Sequence, residues 1–458
     1  MSIEEKGKMK ITLDFNKTNG KIKAMHGIGQ PPLMGINTKY FKYLDDAVIP
    51  YSRLHDVDGR YGGGRYVDIP NIFRNFDADE TKEESYDFAF TDFLLKALLD
   101  NGCEPYFRLG VSIENQHNIR AYHIYPPKDF AKWARICEHI IRHYNEGWAN
   151  GFHYNIEYWE IWNEPDNGPT LETNNLWLGT KEEFYELYTV TSKHLKACFG
   201  DKIKVGGYGS SGVGMALSDP EKYGLSCPAF VKNNDVYMTE RGAYFIEFFE
   251  GFLEYISKNN APLDFFPWHS YGLKTLQIGH CVEYVDKMLA KYGYEKTENH
   301  LNEWSVSPTG RSRGTVYAAA RCAATMLNMQ NKSTEILCIY DGQITIHEYG
   351  ALFCPYPEVK PFPLYFSLKA FGELYKLGDC VKPEFEESEY IFAQAAINGD
   401  KKAFMITNIA EEEQKIETNL GSDMKAYIID ADHELDLVEI DPTSFVMKPD
   451  DVILFRNY

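Results

Sequence analysis

Short apolar runs alternate with longer amphipathic stretches over most of the 458-residue chain, the order expected of repeated strand–helix units. The candidate strands are AMHGIGQ (24–30), IPYSRLHDV (49–57), CEPYFRLGV (103–111) and IEYWEIW (156–162), followed by IKVGGYGS (203–210), DFFPWHSY (264–271), HLNEW (300–304) and EILCIYDG (335–342). Between and after them run YDFAFTDFLLKALLDNG, PKDFAKWARICEHIIRHYNEG, KEEFYELYTVTSKHLKACFG and GAYFIEFFEGFLEYISKNN, then TLQIGHCVEYVDKMLAKYG, RGTVYAAARCAATMLNMQN and LYFSLKAFGELYKLG. Each repeats its apolar residues at three- and four-residue spacing, the stripe of a helix that covers a core. Eight strands in this alternation predict an α/β fold, a (β/α)8 TIM barrel. No strand leads into G-x-G-x-x-G or a P-loop, which argues against a doubly wound open sheet. Beyond about residue 379 the period changes to two, in YIFAQAAING, KAFMITNI, KIETNL, KAYIIDA, LDLVEI, SFVMKP and VILFRN. These predict a small C-terminal all-β sandwich. The expected division is a barrel over 20–378 and a sandwich over 379–458, with the early run at 9–16 offering the sandwich one more strand.

Composition narrows the partners. The chain has 67 acidic against 47 basic residues, a net charge of -20, which repels nucleic acid, anionic membranes and polyanionic substrates at long range. A neutral ligand is expected. The nine cysteines show no C-x-x-C pair or metal-ligand spacing and read as reduced, mostly buried thiols. No run approaches the roughly 18 apolar residues of a membrane span, and the start MSIEEKGKMKITLDF has no apolar leader segment. Cytoplasmic residence is expected, with a secreted or periplasmic protein freed of its signal peptide as the alternative. His26, His55 and His269 form no H-x-H pair and no obvious carboxylate-bridged set, which argues against a metal-dependent barrel hydrolase, and nothing in the sequence requires a metal or organic cofactor. Oligomeric state is left open.

The stretch YWEIWNEPD (158–166) places chemistry on this frame. Pro165 cannot donate to a strand ladder, so the strand stops there and leaves Glu164 at its mouth beside Asn163. Catalytic groups of a barrel sit at the C-terminal ends of its strands. Read this way, strand two ends in Arg53, His55 and Asp56, strand three in Arg108 with Glu114 in its loop, and strand four in Asn163 and Glu164. Strand six ends in His269 and Tyr271, strand seven in Asn302, Glu303 and Trp304, and strand eight in Tyr340 and Asp341. Two carboxylates stand out, Glu164 and Glu303, each directly after an Asn. His26 and Gly27 end strand one without a defined role, and Trp159, inside its strand, is expected in the core.

WNEP on strand four and NEW on strand seven, with RLHD, YPPKDFAKW, WLGT, KVGG and WHSY, resemble glycoside hydrolases of the clan of (β/α)8 retaining enzymes. Within that clan the chain is similar to family 39, which contains β-xylosidases and α-L-iduronidases. The resemblance implies that Glu164 is the acid/base and Glu303 the nucleophile of a double displacement, with carboxyl groups about 5 to 5.5 Å apart. It implies that Asn163 donates to the sugar 2-hydroxyl, that Arg53 and Tyr271 support the ionised Glu303, and that His55 and His269 hold substrate or network. Satisfied core histidines are the alternative for the latter two. Trp304 is a candidate for stacking on a sugar face, and Glu114, Tyr340 and Asp341 for choosing the sugar, against a reading of solvated loop residues.

The expected partner is an oligosaccharide or glycoside, a β-xyloside first and an α-L-arabinoside next. An iduronidase is disfavoured by the acidic charge. A non-catalytic sugar-binding barrel is the alternative of a different class. The loops after strands two, three and eight depart from the β-xylosidase pattern, and loops set specificity in this fold.

Overall fold

The computed structural model describes residues 8–57, 64–112, 124–170, 173–229, 240–306, 312–345 and 349–458. Eight parallel strands close into a barrel: Ala24–Gly29, Tyr51–Leu54, Glu104–Leu109, Tyr158–Ile161, Lys204–Gly206, Phe265–Tyr271, Glu298–Ser305 and Thr334–Tyr340. Each overlaps the apolar run that predicts it. Burial of both strand faces explains why those runs read as continuous rather than alternating.

Seven helices of 11 to 19 residues occupy the predicted amphipathic stretches: Ala89–Leu99, Phe130–Glu146, Lys181–Phe199, Glu240–Lys258, Thr275–Lys291, Val316–Met329 and Pro363–Leu377. Their ends follow local chemistry. Asp129 accepts from the Lys132 N–H at one start, and at another Thr180 and Glu183 form a reciprocal capping box. Gly147 closes the helix Phe130–Glu146 at φ 76°, a conformation that costs glycine little. Strands one and two are joined through a helix of only five residues, Lys42–Asp46, too short for a helical period to register in the sequence.

The chain ends in two sheets. A six-stranded sheet runs in the order Asp379–Val381, Ile391–Asn398, Lys401–Asn408, Val452–Arg456, Lys425–Ile429, Glu434–Val438. Lys8–Ile11, Gln414–Thr418 and Ser444–Met447 form a three-stranded sheet, the first pairing in parallel with the second. Ile11, Phe404, Ile416, Phe445, Met447 and Phe455 share one buried cluster between the two sheets. Helices Val316–Met329 and Pro363–Leu377 pack on the strands Ile391–Asn398 and Lys401–Asn408. Phe392, Met405 and Leu454 thereby belong to the same continuous core as the barrel's helices. Among the described residues no helix is long and apolar enough to cross a membrane.

Candidate active site

Parallel register brings the strand ends level. His269 lies opposite Glu303 on neighbouring strands, and Arg53 lies opposite Tyr106 on the far side of the barrel. Backbone after strand four turns sharply: Trp162 and Glu164 both adopt positive φ, 71° and 46°, which points the Glu164 side chain into the barrel mouth. Its N–H is held by the carbonyls of Tyr208 and Gly209 at 3.1 Å each.

Arg53 organises the floor. It is 1% exposed; its Nη1 donates to Glu303 Oε2 at 2.7 Å, and its Nη2 donates to Asn163 Oδ1 at 2.6 Å. Its Nε and Nη2 also grip both oxygens of Glu160, at 2.7 and 3.0 Å. Burial works against the Arg53 cation, but Glu160 and then Glu303 outweigh it and hold its pKa above the ordinary value. Tyr271 Oη donates to the other Glu303 oxygen at 2.7 Å. Glu303 is thus gripped at both oxygens and 7% exposed. Because a guanidinium only donates, the Asn163 oxygen must face Arg53, which turns its amide N–H groups elsewhere.

Glu164 sits in different surroundings. His269 Nδ1 lies 2.6 Å from Oε1, and Asn167 Nδ2 donates to Oε2 at 3.0 Å. Arg241 fixes that Asn167 by donating to its Oδ1 at 2.7 Å. Burial pushes the Glu164 carboxyl up to about 7, with Asn167 and Arg53 pulling the other way. Burial also lowers His269 to about 4, so the ring is neutral and can share a proton with Glu164. Asp166, behind Glu164, takes the hydroxyls of Ser210 and Ser211 at 2.7 and 3.0 Å, and burial raises it to about 7.

Oxygens of Glu164 and Glu303 and the nearer His269 nitrogen all lie within 4.8 Å of one another. Arg53 supplies the cation at Glu303. A second cluster of possible metal donors, Glu138, His194 and Cys198, lies between two outer helices, where Glu138 is engaged by Arg142 and His194 at 2.7 and 2.6 Å.

Other sequence candidates divide. His55 is buried and held well below its ordinary pKa, first by burial and then by Arg108 and Arg53; its Nε2 is 3.1 Å from Asp56 Oδ1. Tyr340 Oη donates to Asp56 Oδ2 at 3.1 Å, and its ring meets those of Tyr271 and Tyr349 edge-on. Asp341 is 3% exposed and pushed by burial up to about 8, a neutral carboxyl that can donate. Trp304 is 1% exposed within the core, which leaves little ring face for a sugar. Arg108 turns to Asp68 at 2.5 Å, away from the two carboxylates. Glu114 lies outside the described residues. His26 bonds the Val48 carbonyl at 2.8 Å among Phe371 and Tyr375, a core histidine, and Trp159 packs against Phe107.

Glu160 and Asn167 escape a reading based on strand ends. Glu160 is mid-strand, and the one signal for it is a charge set between Trp159 and Ile161 where both strand faces are buried. Asn167 follows the strand in a turn and carries no signal of its own.

A closed parallel barrel with two carboxyl groups facing each other on strands four and seven, one raised by burial and the other gripped by a guanidinium and a phenol, defines a class, the two-carboxylate (β/α)8 barrels. The family model of glycosyl hydrolases family 39 matches residues 9–331, and the chain belongs to that family. The β-xylosidase of Geobacillus stearothermophilus is 24% identical over 247 residues, which cover 51% of this chain and 40% of that protein's length. Among solved structures, a glucosidase from Croceicoccus marinus superposes with a TM-score of 0.72 at 18% identity, covering 98% of each chain. A monomeric β-xylosidase from Caulobacter crescentus CB15 gives 0.67 at 15% identity, covering 98% of this chain and 99% of that one.

Proposed function

We propose that the protein is a retaining glycoside hydrolase, β-xylosidase-like in substrate, working by double displacement. The observation that carries this is the pair of carboxyl groups, oxygens within 4.8 Å, in opposite electrostatic settings. Inverting enzymes keep their carboxyls about 6.5–9.5 Å apart to admit a water, and retaining enzymes about 5–5.5 Å. Glu164, raised to about 7 by burial, gives its proton to the glycosidic oxygen as that bond breaks. Glu303, steered by Arg53 and Tyr271, attacks the anomeric carbon from the other face and forms a glycosyl-enzyme. Glu164, now a carboxylate, takes a proton from the incoming water, which displaces Glu303. Two displacements restore the starting configuration. Asn163, its oxygen held by Arg53, turns its N–H groups to the sugar 2-hydroxyl.

We place His55, Tyr340 and Asp341 around the sugar and assign Trp304 to packing beneath it. The net charge of -20 favours neutral sugars, with β-xylosides first and α-L-arabinosides next. The nine thiols, none in a disulfide, favour a reducing compartment. A panel of p-nitrophenyl glycosides, with the anomer of the first-formed sugar read by NMR, tests the proposal. Retention on a β-xyloside or α-L-arabinoside is expected. Inversion would overturn the mechanism, and sugar binding without turnover on any glycoside would favour a binding barrel.

A further inference from the structure

Glu160 is a fully buried carboxylate that the displacement mechanism does not use, yet it takes most of Arg53. We infer that Glu160 is a positioning residue that divides the charge of Arg53 between two carboxylates, so that Glu303 stays a strong nucleophile and Glu164 stays an acid. The inference rests on the roles proposed above for Glu164 and Glu303.

Its basis is geometry and charge. Three hydrogen bonds converge on Glu160: Nε and Nη2 of Arg53, and Nδ2 of Asn302 at 3.0 Å. Asn302 immediately precedes Glu303, so Glu160 also ties down the backbone that carries the nucleophile. A single guanidinium therefore serves two buried carboxylates, and with Glu164 protonated the group carries a net charge of -1. An oxocarbenium-like transition state needs that charge. With Glu160 neutral, Arg53 and Glu303 would cancel, and the site would meet a forming cation with no net charge.

The groups facing Glu160 from the other strands do not replace it. Tyr106 and Cys338 are both kept protonated by burial, and His269 is kept neutral by burial. From the segment after strand five comes Gly209, whose missing side chain leaves room for Glu160 Oε1 and His269 Nε2. Arg108 stands opposite Glu160 in the strand register, but Asp68 takes its charge at 2.5 Å; Arg53 and Glu303 are the other charges beside Glu160. The Glu160 charge also acts on Glu164, where it raises the carboxyl pKa.

The test is the pH profile of kcat/KM for Glu160→Gln, Glu160→Asp and the parent enzyme. In Glu160→Gln we expect both limbs to move toward acid, by about one pH unit, since the nucleophile loses basicity and the acid loses a like-charged neighbour. At the optimum kcat should fall by about 10²-fold. Glu160→Asp keeps the charge but withdraws it by one methylene, so its limbs should move less and in the same direction. A purely structural role would lower kcat in both variants and leave the limbs in place, and that result would overturn the inference. If Glu160→Gln does not fold, Glu160→Asp decides alone, and parental limbs in it are equally fatal. Full activity in Glu303→Gln would sink the site itself, whereas an inactive Glu303→Gln beside unmoved limbs in the Glu160 variants would sink this inference only.

Discussion

Two glutamates with oxygens within 4.8 Å of each other in the same mouth differ because of the atoms that touch them. Glu303 meets a guanidinium and a phenol, both donors, while Glu164 meets a neutral imidazole and an amide. Replacing Glu303 with Gln keeps the shape and removes the attacking oxygen's charge, so turnover should drop by several orders of magnitude with substrate binding kept. Single-turnover kinetics beside inhibitor affinity checks both halves. Glu164 acts as an acid only while protonated; with its pKa raised to about 7, kcat/KM on an unactivated glycoside should decline as pH rises past 7. In Glu164→Ala, activated aryl glycosides should still load the enzyme, and the loaded intermediate should wait for a base. Azide, which needs none, should restore turnover and yield a glycosyl azide of retained configuration. An inverted azide, or no rescue, would return Glu164 to a binding role.

At the scale of elements, the site depends on where strands stop and how their loops turn. Strand four ends at Ile161 and two residues of positive φ, Trp162 and Glu164, follow before Pro165, while the chain beyond strand five turns at Gly209, at φ +67°. A methyl group on Gly209 would come within 2.9 Å of Glu160 Oε1 and His269 Nε2 and 3.3 Å of Arg53 Nη2. Gly209→Ala should therefore leave the barrel folded, push Arg53 out of register and reduce kcat by roughly 10²-fold, the size of effect that follows a small misplacement of reacting groups. Circular dichroism and kinetics together would separate this from unfolding. Helix Lys181–Phe199, behind strand four, carries its own start signal, so Thr180→Ala should cost about 1 kcal/mol in stability and leave kcat unchanged. A denaturant titration reads that difference.

For the whole molecule, the C-terminal sheets extend the barrel's core. Leu454 is 1% exposed and belongs to the same cluster as Leu368, Phe371 and Leu374 of the last barrel helix. Glu373 of that helix bonds Arg456 at 2.5 Å from the adjoining strand. Leu454→Ala should cost roughly 2–5 kcal/mol through lost burial and a residual cavity. Because the core is continuous, activity and far-UV signal should be lost in one transition at a lower temperature. Loss of the sheet signal alone, with activity retained, would mean that the two parts unfold separately.

The eight strands, seven of the helices and the change of period near residue 379 follow from apolar spacing, since barrel strands buried on both faces and helices buried on one leave distinct patterns. The position of Glu164 and Glu303 at the C-terminal side of strands four and seven was legible too, because each follows an apolar run that marks its strand. The five-residue helix Lys42–Asp46 was not, being shorter than the period that would announce it. Tertiary structure alone decided which neighbour each side chain meets. Barrel closure sent Arg108 to Asp68 and Arg53 to the carboxylates, although both arginines end their strands alike. It buried Trp304 and assembled the Arg53, Glu160 and Asn302 cluster from three strands more than 100 residues apart in sequence. Spacing along a chain reports which face a residue takes, whereas pKa and hydrogen-bond partners depend on distances across the barrel that are fixed only when the last strand meets the first.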